Sequence, residues 1–165
     1  MNVLLTTVVL SVAIIVPAIA YGMKKGSELR AQGKIVTREA GFYEREFVYA
    51  TPVFDFGALA AVVRRIDFAD AGAGVGWKIN ASRQMILFTN SSEGFEAQLK
   101  ALPDYMGEHQ FRFCFTHWRT HKGLVHGLTQ MNSLMTAFEK GMLGLDPYVT
   151  VSSKLGQIKS KVDML

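Results

Sequence analysis

Four residues in the last third of the sequence have side chains suited to a metal or nucleophile site: Cys114, His117, His121 and His126. Together they spell C-x2-H-x3-H-x4-H, a thiolate and three imidazoles of the kind that hold zinc. Their spacing argues against it. The surrounding residues alternate as a strand, and on a strand Cys114 and His117 face opposite sides of the sheet. His117 and His121 share a side but stand about 13 Å apart, too far for one ion. A Cys/His nucleophile pair needs a base and an orienting group, and nothing in the sequence forces either into place. Cys114 reads instead as a small packed hydrophobe. No metal site, no cofactor and no enzyme activity is expected.

Two further patterns dissolve on inspection. Gly72-Ala73-Gly74-Val75-Gly76 has Trp77 where a dinucleotide loop needs its third glycine, and it leads into a strand rather than a helix. It reads as a turn. The acidic pairs Asp67/Asp70 and Glu44/Glu46 read as solvated residues of a loop and of a strand face.

Residues 116–126 have more promise as a surface. Strict alternation places Trp118 on the polar face of its strand, beside Arg119, a pairing typical of binding hot spots. Trp118, Arg119, His117, His121 and Arg112 are the candidate partner-binding residues. The other face of that strand carries Phe111, Phe113 and Phe115. With Met131, Met135 and Phe138 from a later helix, these would line a cavity for an apolar ligand or lipid, or else fill it.

These residues need elements to position them. Phe42 to Thr51 is rich in Phe, Tyr and Val and predicts a strand. Asp55 caps a helix to about Ile66, with Phe56, Leu59, Ala60, Val63 and Ile66 on one face. Residues 75–80 and 84–90 predict a hairpin. Residues 94–102 fit strand or helix; their alternation favours strand, turned by Pro103-Asp104. Residues 110–120 predict the clearest strand. Residues 125–143 predict a helix with a buried stripe of Leu128, Met131, Leu134, Met135, Phe138 and Met142, capped by Gly144. The tail after residue 150 reads as a short basic amphipathic helix or a solvated terminus.

The resulting class is α+β, with the order β-α-β-β-β-β-α and an antiparallel sheet packed by helices on one face. Over residues 42–143 this succession resembles helix-grip and TATA-binding-protein-like architectures. The resemblance is one of element order and implies a curved sheet around a long C-terminal helix. It implies no function.

The N-terminus adds a second theme. Asn2 to Met23 has no charged side chain, and residues 3–22 are long enough to span a bilayer. Lys24, Lys25, Arg30 and Lys34 follow, with Arg38, against one acid, Glu28. The chain holds 18 basic and 14 acidic residues, which leaves 13 of each elsewhere. A nucleic-acid-binding domain would carry the excess on its folded part. The expected organisation is a transmembrane anchor at 1–23, a basic juxtamembrane linker at 24–40, an α+β domain at 41–150 and a basic tail at 151–165. The positive residues after the segment predict a single-pass cell-membrane protein with a cytoplasmic domain, its Lys24, Lys25, Arg30 and Lys34 on the lipid surface. The alternative is export after signal cleavage near Ala20, with Asn80 and Asn90 as glycosylation acceptors in a eukaryote. The function expected is a membrane-tethered, non-catalytic module that contacts membrane lipids and binds a protein partner or forms a homo-oligomer, without nucleic acid. The alternative is an apolar-ligand or lipid-binding module.

Overall fold

The computed structural model describes residues 33, 35–72, 74–156 and 162–164. The chain divides into two compact units, residues 1–37 and 38–165. The elements below belong to the second unit.

A single turn of 3-10 helix, Phe42–Glu44, precedes β1, Arg45–Thr51. The expected strand therefore starts three residues later than its composition suggests, because Gly41 adopts φ 76° and folds the chain into that turn. Helix α1 spans Phe56–Val63, and Asp55 caps it by accepting the Ala58 N–H at 2.9 Å. Strands β2 (Val75–Asn80) and β3 (Met85–Asn90) form the expected hairpin. β4 runs Phe95–Tyr105. Its alternating burial agrees with the strand reading, but Pro103 does not end it. A register irregularity between Leu102 and Tyr105 absorbs the proline. The turn falls at Met106-Gly107, where both residues have positive φ. β5 follows at Glu108–His117, then the short β6 (Arg119–His121) and β7 (Leu124–Val125). Helix α2 spans Leu128–Leu145, passing through Gly144 and ending at Asp146. Residues 150–155 form a strand, β8, rather than a helix or solvated tail, and β9 is Val162–Met164.

The main sheet is antiparallel in the order β2-β3-β4-β5-β1-β8. A smaller sheet, β7-β6-β9, pairs β6 with β9 in parallel. One face of the main sheet is covered by α2, whose Met131, Leu134, Met135, Phe138 and Met142 are buried. Phe138 stacks on Phe113 at 5.5 Å and meets Tyr49 edge-on at 5.6 Å. Each such burial contributes about 1.5–3 kcal/mol. α1 packs closely on α2 because position 141 is glycine. A Cβ there would lie 2.8 Å from Ile66 Cδ1 and 2.9 Å from Val62 Cγ1.

Two polar clasps tie loops to this core. Arg38 donates to Asn132 Oδ1 and to both carboxylate oxygens of Glu139, which also accepts from the Tyr49 hydroxyl. Thr51 Oγ1 donates to the buried Asp146 at 2.6 Å, and Asp146 in turn accepts the Tyr148 N–H.

Two expectations are corrected. Among the described residues no helix is long and apolar enough to cross a membrane. The longest described helix, α2, is amphipathic and spends its apolar stripe on the core. The single-pass, membrane-tethered reading, with its cell-membrane localisation and lipid partners, is therefore not upheld. Residues 3–22, Lys24, Lys25, Arg30 and Lys34 lie outside the described residues. The lipid or apolar-ligand cavity is the second correction. Phe111, Phe113, Phe115, Met131, Met135 and Phe138 are all buried in one cluster and fill the space they were expected to line.

Candidate functional site

The sheet face away from α2 carries a cleft at one end. Strict alternation along β5 would turn His117 toward the helix side with Phe113 and Phe115. The register shows otherwise. Ala97 pairs with Phe115, and the next residue, Glu96, pairs with His117, so Thr116 is the extra residue of a bulge. Bulges re-aim side chains in this way. Gly76, Thr89, Glu96 and His117 consequently form one cross-strand row. Gly76 leaves room within it: a Cβ there would sit 3.3 Å from Thr89 Oγ1.

Arg119 closes the end of this row. Its side chain lies across Gly94, and a Cβ at Gly94 would collide with the Arg119 stem. Gly94 also has φ 70°, which a glycine adopts without strain. The turn that presents it is built by Asn90. That buried side chain donates to Ala71 O and accepts from Ser92 Oγ and the Glu93 N–H, while Gly94 N–H donates to Asn90 O at 2.7 Å. With its amide spent in the core, Asn90 is no glycosylation acceptor.

The result is a cleft of about 220 Å³ lined by Thr89, Ser91, Gly94, Glu96, His117 and Arg119 among others. The Arg119 guanidinium has no hydrogen bond or ion pair among the described residues. Five donors on a rigid fork thus face a cleft with two hydroxyls, an imidazole and one carboxylate.

A second cleft, about 320 Å³, lies at the other end of the sheet between Asp55, Phe56, Gln84, Asp104, His109 and Phe111. Its charged groups are already engaged. Asp55 caps α1, and Asp104 pairs with His109 at 3.0 Å.

The remaining sequence candidates are scattered. Trp118 is 2% exposed and packs edge-on against Tyr43 at 5.3 Å, so it is a core residue and not a surface anchor. The same bulge that brings His117 outward turns Trp118 in. Its Nε1 is buried with no hydrogen-bond partner among the described residues. Arg112 stands 3.7 Å from Glu46 on the open face. His121 is exposed beyond the cleft, and His126 pairs with Glu93 at 3.3 Å. Cys114 is buried on the open face, beside Gln98 in register. Among the described residues no group of three or more His, Cys, Asp or Glu is placed to hold a metal ion.

His117 and Arg119, expected on a partner-binding surface, both line this cleft, together with Thr89, Ser91, Gly94 and Glu96, which the sequence does not single out. The run Asn90-Ser91-Ser92-Glu93-Gly94 is the signal for the turn. A scan against family models, a search of curated proteins and a search of solved structures each found no match.

Proposed function

We propose that this α+β domain is a binding module that takes an anionic group of a small polar ligand, a carboxylate or phosphate, in the cleft between Thr89, Glu96, His117 and Arg119. One observation carries the reading. The Arg119 guanidinium is seated on Gly94 at the mouth of a concave polar cleft, with no counter-charge engaging it among the described residues. A guanidinium fork matches two oxygens of such a group, and charge-assisted bonds of this kind are the strong ones. Thr89 and Ser91 add hydroxyl donors at the same mouth. Glu96, also on the lining, suits an amine or hydroxyl of the same ligand and disfavours a polyanion.

The experiment is an NMR titration of the full chain with inorganic phosphate and, separately, acetate. Saturable shifts confined to residues 89–96 and 117–119 are expected. Shifts that rise linearly, or that centre on His109 and Asp104, would refute the assignment.

A further inference from the structure

We infer that β8 is a self-pairing edge: two copies of the chain join β8 to β8, antiparallel about Ser153, into one continuous sheet. β8 is the terminal strand of the main sheet, next to β1, and all six of its residues are exposed. A sheet edge of this length presents a row of unpaired N–H and C=O groups.

Which groups point outward follows from the register. β1 and β8 pair Glu46 with Lys154, Val48 with Ser152 and Ala50 with Thr150. The Gly156 N–H donates to Glu44 O at 2.8 Å, in the same series. Antiparallel strands alternate, so the even-numbered residues of β8 direct their backbone groups toward β1. Val151, Ser153 and Leu155 direct theirs toward the open edge.

A twofold axis perpendicular to the sheet keeps each face on its own side, so outward residues must pair with outward residues. Centring the axis on Ser153 uses all three. Val151 then faces Leu155 of the second copy, Ser153 faces its own equivalent, and Leu155 faces Val151, each as a hydrogen-bonded pair. The side chains agree with this register. Val151 is 58% exposed and Leu155 74%, and pairing covers each with the other. On the opposite face Ser152 meets Lys154, so no like charges are set against each other. Among the described residues the usual guards of an edge are missing. β8 has no proline, and its one lysine, Lys154, leans back to Glu46 at 3.8 Å rather than across the edge. No other register engages all three outward residues.

The test adds one cysteine at a time to the full chain, whose own Cys114 is buried. In the proposed register the two Ser153 Cα atoms lie about 5.5 Å apart, within disulfide reach. Mild oxidation of Ser153→Cys should give a covalent dimer in high yield, and Ser152→Cys should give little. Ser153 is exposed, its hydroxyl accepting among the described residues only from Arg45 at 3.3 Å, so Ser153→Lys should fold normally. It sets two lysines directly opposite each other and should shift sedimentation from dimer to monomer, raising the dimer Kd at least tenfold. Equal cross-linking through positions 152 and 153 overturns the proposal. So does a dimer that survives Ser153→Lys, or a chain that sediments as a monomer at all concentrations.

Discussion

Tyr49 donates its phenolic hydrogen to Glu139 at 2.7 Å, joining strand β1 to the middle of α2. The same carboxylate receives the Arg38 guanidinium through both oxygens, the shorter bond at 2.6 Å. The segment before β1, β1 itself and α2 thus meet on one acid. Removing it with Glu139→Ala strands a buried hydroxyl and a mostly buried cation, and should cost about 2–3 kcal/mol. Tyr49→Phe loses one bond while Glu139 keeps Arg38, and should cost about 1 kcal/mol. Urea unfolding followed by circular dichroism measures both.

This phenol also sets an alkaline limit. Burial, and then the negative charge of Glu139, push Tyr49 well above its ordinary value of 10.0. In the unfolded chain Tyr49 loses its proton near that ordinary value, while the folded chain keeps it. The folded state then binds more protons, so stability is full below about pH 10 and falls as pH rises above it. Tyr49→Phe should flatten that fall. Urea midpoints at several pH values from neutral upward would show it; an unchanged slope in the variant would place the alkaline loss elsewhere.

Gly141 lets the two helices touch. Gly141→Ala should destabilise even though alanine is the better helix former, because Ile66 and Val62 stand inside the contact distance of a Cβ. Overpacking of this kind costs about 1–3 kcal/mol. A thermal melt should rank wild type above Gly141→Ala, and Gly141→Ala above Gly141→Leu.

Much of the layout was legible because its signals are local. Asp55 before an apolar run marks the cap of α1, and Met131, Leu134, Met135, Phe138 and Met142 mark the buried stripe of α2. What stayed hidden is set by pairing. Nothing in Thr150–Leu155 marks a strand until β1 is beside it. The bulge at Thr116 is a property of two strands together, and it exchanges the faces that alternation assigns to His117 and Trp118. The cavity expected under α2 failed for a simpler reason: periodicity shows which side chains point inward, not whether their volumes leave a space.

Gly94 links the turn to the site. Gly94→Ala puts a Cβ into the Arg119 stem and forces an alanine to φ 70°. It should cost about 1 kcal/mol of stability. It should also displace Arg119 and weaken anion binding several-fold, which Gly107→Ala, at an open turn with a similar backbone, should not do. Isothermal titration of both variants with phosphate separates the two effects.

The most direct test of the cleft is the phosphate affinity of wild type against Arg119→Ala and Arg119→Lys at fixed ionic strength. Arg119 is exposed and makes no contact that the fold requires, so both variants should melt with the wild type. A loss of tenfold or more in Arg119→Ala, with partial recovery in Arg119→Lys, is the predicted result, because lysine keeps the charge but not the fork. Equal affinity in all three proteins would contradict the assignment of the site.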